Sequence, residues 1–108
     1  MKYSLQGGIQ LIRTEASIQV QFGIAILITI AGLYFDISRT EWIAQTLCIG
    51  LVMTAEGLNT AIEGIADFVH PDFHEKIGKI KDVSAGAVGI AALASVIVAG
   101  IIYFPRIF

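Results

Sequence analysis

The sequence has little charge, a single cysteine and no surplus of basic residues. Only 15% of its 108 residues are charged, compared with about 25% in an average soluble protein. Hydrophobic residues make up 56% of the chain, which excludes a disordered chain and is more than so small a soluble globule could bury. The single Cys48 excludes an intramolecular disulfide, and no Cys/His cluster indicates a structural metal. The net charge of -2 excludes an electrostatic nucleic-acid binder. A small integral membrane protein is therefore predicted.

Three apolar segments are long enough to form membrane-spanning helices, which need about 20 mostly apolar residues. We expect these spans at residues 16–35, 42–69 and 83–104. Before them, polar and apolar residues are interleaved, which predicts a short amphipathic lead-in on the membrane surface. The predicted fold is all-α, with one membrane-embedded domain over residues 1–108.

Basic residues predict the orientation in the membrane. With three spans, one side of the membrane would carry Lys2, Arg13, Lys76, Lys79 and Lys81. The other side would carry only Arg39 and Arg106, together with an interfacial belt of aromatic residues. Because positively charged segments stay inside, we expect a cytoplasmic N-terminus and a multi-pass protein of the inner, cytoplasmic membrane.

Prolines mark the expected ends of the second and third spans. Pro71 is expected to end the second span, before a polar loop over residues 72–82. Pro105 is expected to end the third span. His70 and His74 have the spacing of metal ligands on a helix, but the proline between them favours a solvated loop.

The second predicted span carries an acidic face. Its polar members are Glu56, Asn59, Glu63 and Asp67. At about 100° per residue, these positions fall within an arc of about 80°. An ionised carboxylate at bilayer depth costs at least about 2.5 kcal/mol, so such a face predicts a functional site with a compensating cation. The alternative, a solvated helix end, suits Asp67 better than Glu56.

Carboxylate and amide oxygens prefer Mg²⁺, which completes its shell with water and substrate phosphates. This face therefore predicts phosphoryl transfer, for which downstream lysines could neutralise the phosphates. The sequence has no GxxxxGK motif, which excludes a Walker-type nucleotide fold. Intramembrane carboxylates can also relay protons, so a small proton-coupled transporter subunit is the alternative class. A relay would not need the Lys81-Asp82 pair near its mouth.

These residues resemble the prokaryotic diacylglycerol kinase family, which includes the undecaprenol kinases. The stretch from Glu56 to Asp67 is similar to the ExxNTAIExxxD signature of that family, and Gly78 to Val88 is similar to its Lys-Asp block. Glu15 matches the acidic residue that opens the first span. The resemblance covers nearly the whole chain. It implies a homotrimer that uses Mg²⁺ and ATP to phosphorylate a membrane lipid alcohol, either diacylglycerol or, alternatively, undecaprenol.

The resemblance also implies a role for individual residues. Glu56 would be the catalytic base, and Asn59 would orient the base or the phosphate. Glu15 and Glu63 would hold Mg²⁺ together with the phosphates of ATP. Lys81 would neutralise the phosphoryl group during transfer.

Two further acidic residues are implied at the nucleotide site. Asp82 would support the nucleotide site, and Asp67 would lie near the nucleotide.

The sequence departs from the family pattern in two places. The family usually has a basic amphipathic helix before the position of Tyr3, which leaves the contacts of that helix open here. Gln21 stands where some members carry another acidic residue, and is not expected to be a site residue.

Overall fold

A computed structural model of the chain describes residues 1–72 and 74–108. These residues form four helices: α1 (Lys2–Thr14), α2 (Ala16–Phe35), α3 (Arg39–Val69) and α4 (Glu75–Ile107). The described residues contain no strand, which confirms the predicted all-α class. Among them, α2 and α4 are long and apolar enough to cross a membrane.

The long helices α3 and α4 pack side by side in antiparallel order. Near the start of α3, the Arg106 guanidinium lies 2.7 Å from the Glu41 carboxylate. Near the end of α3, the Lys81 ammonium lies 2.5 Å from the Asp67 carboxylate. The start of α3 therefore pairs with the end of α4, and the end of α3 pairs with the start of α4. The N-terminal end of α4 thus lies beside the acidic C-terminal end of α3.

A small apolar core closes the end of the bundle where α2 turns into α3. Ile37, Ile102 and Tyr103 are buried together there. The Trp42 ring approaches Gly32 so closely that a Cβ atom at position 32 would lie 2.7 Å from its Cη2 atom. Glycine at this position therefore permits close packing of α2 against the start of α3. Trp42 and Tyr103, two aromatic residues of the expected interfacial belt, both take part in this packing.

Buried polar groups join all three long helices just inside this core. Gln45 is only 4% exposed, and its amide donates a hydrogen bond of 3.3 Å to the Ile28 carbonyl on α2. The Tyr103 hydroxyl on α4 lies 2.5 Å from the Gln45 side-chain oxygen. Because a buried polar group is destabilising without a partner, these bonds favour one register among the three helices.

The turn between α2 and α3 is set by its capping residues. Asp36 adopts a left-handed conformation with φ 51°, which ends α2. Ser38 and Glu41 then form a reciprocal capping box at the start of α3, with bonds of 3.2 and 2.9 Å. The Ser38 backbone N–H, and after it the Arg106 guanidinium, lower the pKa of Glu41, which precedes the predicted span.

The predicted loop over residues 72–82 is wrong over most of its length, because α4 begins at Glu75. The His74 ring accepts a hydrogen bond of 3.1 Å from the Lys76 backbone N–H and so caps the helix. Glu75 and Lys79 lie one turn apart on its exposed surface, 3.8 Å from each other. Polar residues are also found in a helix that extends beyond the apolar layer, so polarity alone did not distinguish this helix from a loop.

Pro105 does not end the last helix, which continues to Ile107. A proline lacks the N–H that would bond to the carbonyl four residues earlier in the helix. Here the Arg106 guanidinium donates to the Ile102 carbonyl at 2.7 Å and also pairs with Glu41. The side chain of Arg106 therefore stabilises the turn that contains the proline.

Candidate active site

The acidic face of α3 runs from the interior of the bundle to the end where Asp67 pairs with Lys81, which we call the open end. Glu56, Asn59 and Glu63 are partly buried, whereas Asp67 is exposed. With a rise of 1.5 Å per residue, Glu56 lies about 16 Å along the helix from Asp67. The face therefore connects a sheltered carboxylate with groups that can meet a ligand arriving at the open end.

Two oxygen atoms on this face are shielded from solvent and accept no hydrogen bond within the part of the chain that the structure describes. They are Oε2 of Glu56 and Oδ1 of Asn59. The Asn59 amide nitrogen is already committed, since it donates 3.0 Å to Oε1 of Glu63. An unpaired shielded oxygen is unfavourable. Both atoms are therefore suited to a hydroxyl, a bound water or a cation supplied by a ligand.

Two residues of α2 lie beside Glu56. The side chains of Ser17 and Gln21 lie near its carboxyl group. Neither residue was expected in the site. A signal was present, because the two are four residues apart in an apolar helix and so share one helical face. The sequence pattern did not show which helix this face would meet.

Glu15 lies at the joint between α1 and α2, where the backbone is extended and the side chain is partly buried. One turn before it, Leu11 contacts Gly57, and a Cβ atom at Gly57 would lie 3.1 Å from Leu11 Cδ1. Gly57 follows Glu56 directly. The end of α1 is thus packed against α3 at the level of Glu56.

The described residues contain no group of three or more His, Cys, Asp or Glu side chains arranged to hold a metal ion. Mg²⁺ requires fewer protein ligands, since it commonly takes one or two carboxylates and completes its shell with water and phosphate oxygens. The shielded Asn59 oxygen and the carboxylate of Glu63 bonded to that residue are hard ligands of this kind. The donor chemistry of this face fits Mg²⁺ bound together with a phosphorylated ligand.

Lys81 and Asp67 bring the two motif blocks together at the open end of the bundle. Their side chains lie 2.5 Å apart, with 37% of Lys81 and 62% of Asp67 exposed. A pair this exposed contributes little to stability. Its charges are accessible to a nucleotide. Asp82, the next residue of α4, is exposed.

A cavity of about 240 Å³ lies between α2, α3 and α4. Its walls are mainly apolar, and Gln21 lines it. Val52, one turn before Glu56 on α3, also lines it. The site therefore has an apolar side within the bundle and a charged side at the open end.

Helical fold, apolar surface and hard oxygen ligands define a membrane-associated protein with a site suited to phosphoryl transfer. The chain belongs to the prokaryotic diacylglycerol kinase family, since the family model matches residues 2–103. The family resemblance of the motifs is thereby confirmed, and with it membership of a membrane-bound family of lipid kinases.

Curated relatives include both kinds of kinase named from the motifs. The chain is 35% identical over 95 residues to the undecaprenol kinase of Bacillus subtilis, and the alignment covers 88% of this chain and 77% of that protein. It is 39% identical over 84 residues to the diacylglycerol kinase of Synechocystis, covering 77% and 47%. It is 33% identical over 78 residues to the diacylglycerol kinase of Escherichia coli K12, covering 71% and 64%. The chain thus spans about half to two thirds of the two diacylglycerol kinases.

Proposed function

We propose that this protein transfers the γ-phosphoryl group of ATP to the hydroxyl of a membrane lipid alcohol. The observation that carries the proposal is the shielded Oε2 atom of Glu56, which has no protein partner in the described chain. This oxygen can accept the proton of a lipid hydroxyl. The open end of the same acidic face, with Lys81 paired to Asp67, can receive the phosphates.

The proposed reaction moves one proton and one phosphoryl group. Glu56 accepts the hydroxyl proton while the lipid oxygen forms a bond to the γ-phosphorus, and the bond to the leaving ADP oxygen breaks. Asn59, held by Glu63, orients the reacting groups. Lys81 exchanges Asp67 for the phosphoryl oxygens and neutralises their charge. Glu63 and Glu15 would hold Mg²⁺ together with the phosphates, and the ion would supply further charge neutralisation there.

Nucleotide binding is proposed to involve the two acidic residues at the open end of the bundle. Asp82, beside Lys81 in the chain, supports the nucleotide site, and Asp67 lies near the nucleotide. The exposure of both carboxylates supports this placement, because ATP arrives from water.

Three spans with a cytoplasmic N-terminus are proposed for the membrane topology. Helix α3 runs antiparallel to α4 and has 31 residues, so it is about 46 Å long, more than the apolar thickness of a bilayer. The exposed apolar surface of α2 supports contact with lipid or with other copies, which agrees with the homotrimer that the resemblance implies. The inner membrane is the proposed location, where ATP is accessible from the cytoplasm.

Diacylglycerol is the first proposed substrate, and undecaprenol is the alternative. Both present a primary hydroxyl on a long apolar tail, and the apolar cavity between α2, α3 and α4 does not favour one over the other. The alternative is supported by the undecaprenol kinase of Bacillus subtilis, whose alignment covers 88% of this chain at 35% identity.

The test is phosphoryl transfer from labelled ATP by the purified protein in mixed micelles that contain Mg²⁺ and either lipid. Labelled phosphatidic acid or undecaprenyl phosphate would identify the substrate. Glu56→Gln should lower kcat by about 10²- to 10⁴-fold, because it removes the base. Asp36→Asn is the matched control, since it removes a carboxylate at the opposite end, and asparagine tolerates the left-handed backbone there.

Absence of transfer to either lipid by the folded wild-type protein would contradict the proposed function. A proton flux into liposomes that contain the same purified protein would then favour the transporter class. Near-normal turnover by Glu56→Gln would contradict the role of Glu56 while leaving the kinase activity in place.

A further inference from the structure

A single residue, Glu15, joins α1 to α2. Its backbone is extended, with φ -97° and ψ 115°, so the two helices do not continue into each other. A residue of this kind between two helices absorbs changes in φ and ψ and acts as a hinge unless its neighbours are held. The direction of the Glu15 side chain, a proposed ligand of Mg²⁺, therefore depends on how α1 is held.

Gln19 ties the two sides of this joint together. Its side-chain amide donates a hydrogen bond of 3.0 Å to the Arg13 carbonyl in the last turn of α1. Its backbone N–H donates to the Glu15 carbonyl at 3.0 Å, and the Glu15 N–H donates to the Leu11 carbonyl at 3.1 Å. The last carbonyls of a helix have no partner within it. The Gln19 side chain thus bonds one of them across the break, from α2 back to α1.

Packing holds the two helices that meet at the joint. Ile18, directly before Gln19 on α2, is 1% exposed. On α1, Leu11 packs against α3, where a Cβ atom at Gly57 would lie 3.1 Å from Leu11 Cδ1. Gly57 follows Glu56, so this contact brings the end of α1 to the acidic face. The joint is therefore held from α2 on one side and from α3 on the other.

We propose that Gln19 and Leu11 are positioning residues that fix the joint between α1 and α2 and so direct the Glu15 carboxylate toward the acidic face of α3. This inference rests on the proposed function, because it takes Glu15 to be a ligand of Mg²⁺. Neither side chain needs to touch the ion or a substrate. Removing either restraint lets α1 swing about the joint. The fraction of molecules with Glu15 in place then falls, and the apparent affinity for the ion falls with it.

The first test measures the binding of Mn²⁺, as a substitute for Mg²⁺, together with the non-hydrolysable β,γ-imido analogue of ATP in mixed micelles. Water-proton relaxation reports the bound ion and needs no phosphoryl transfer. Gln19→Met should raise the dissociation constant of Mn²⁺ by about threefold to tenfold, as expected for the loss of one hydrogen bond. Leu11 is partly buried, so Leu11→Ala removes an apolar contact of comparable strength and should raise the constant by a similar factor.

Matched controls make the same chemical changes elsewhere on α1. Gln6→Met replaces an exposed glutamine, and Leu5→Ala truncates a leucine that is 65% exposed. Each control should change the dissociation constant by less than about twofold, as is usual for surface substitutions. Equal changes in the controls and in the site variants would overturn the positioning role.

The second test asks whether Gln19 and Leu11 act through Glu15. In protein that carries Glu15→Gln, the carboxylate that they position is absent. Gln19→Met and Leu11→Ala should then change the dissociation constant of Mn²⁺ by less than about twofold, which is the coupling that a double-mutant cycle detects. The same fold-change with and without the Glu15 carboxylate would show a general structural effect and overturn the inference.

The outcomes separate this inference from the proposed function. If the wild type transfers phosphate, but Gln19→Met and Leu11→Ala bind Mn²⁺ as their controls do, the inference is wrong and the function stands. If Glu15→Gln leaves Mn²⁺ binding unchanged, Glu15 is not a ligand and the inference is wrong, whatever the kinase activity. If the wild type binds Mn²⁺ and the analogue but transfers phosphate to neither lipid, the proposed function fails, and the binding measurements still decide the inference. Absence of Mn²⁺ binding by the wild type would overturn both.

Discussion

Replacing Gly32 by alanine should destabilise the bundle without affecting the chemistry. A Cβ atom at this position would lie 2.7 and 2.9 Å from two atoms of the Trp42 ring and 3.2 Å from Ile37 Cδ1. Carbon atoms do not approach so closely without displacement, and the rigid indole ring would have to move. Overpacking of this kind costs about 1–3 kcal/mol.

A matched variant isolates this overlap from the general effect of replacing glycine in a helix. Gly23→Ala lies on the same helix α2 and has no described atom within 4 Å of the new Cβ. Both variants gain about 1 kcal/mol of helix propensity. Their difference therefore measures the overlap, and Gly32→Ala should be less stable than Gly23→Ala by about 1–3 kcal/mol.

The assay is reversible unfolding by sodium dodecyl sulfate in mixed micelles, followed by circular dichroism and by fluorescence of the single tryptophan, Trp42. Trp42 precedes Glu56 by 14 residues on α3, which is about 21 Å along the helix. The kcat of folded Gly32→Ala should therefore remain within about twofold of that of the wild type. Equal stabilities of the two alanine variants would refute the close packing of α2 against α3.

Four further predictions concern charged side chains. Glu63→Gln should raise the Mg²⁺ concentration for half-maximal transfer by about tenfold or more, and an unchanged midpoint in a Mg²⁺ titration would remove this residue from the metal site. Lys81→Met should raise KM for ATP by about tenfold, since it removes a charge-assisted contact to phosphate; initial rates at varied ATP check this. Asp67→Asn should shift the unfolding free energy by about 1 kcal/mol or less, because the ion pair is exposed. The Ser38 backbone N–H and, after it, the Arg106 guanidinium lower the pKa of Glu41, so these two contacts stabilise the fold above about pH 4.5 and lose this effect as pH falls through the lower folded value; unfolding titrations of Glu41→Gln should lack this acid dependence.

Much of the fold was predictable because the apolar runs are long and the helical period is regular. The first span was expected at residues 16–35, and α2 has these bounds. The second span was expected at 42–69, and the helix α3 covers these residues and begins at Arg39. Among the described residues, however, only α2 and α4 are long and apolar enough to cross a membrane. The expected loop at residues 72–82 was wrong because polar residues occur in loops and in helices alike. A helix that leaves the apolar layer is also polar, and His74 caps it locally.

The candidate site was predictable only in part. The spacing of Glu56 and Asn59 placed them on one face of a helix, because both lie on the same regular element. Ser17 and Gln21 were not expected near Glu56, because their placement depends on which side of α2 meets α3. That choice is decided by packing between helices, such as the burial of Ile18, and no local pattern encodes it.

The sequence alone determined the membrane class, the helical elements and the acidic face, because these follow from composition and from periodicity within one segment. Only the tertiary structure decided which residues meet across segments. It paired Lys81 with Asp67, brought Ser17 to Glu56 and left Oε2 of that carboxylate without a described partner. Such contacts join residues 14 or more positions apart in sequence, and their geometry depends on the antiparallel register that side-chain packing and buried hydrogen bonds select.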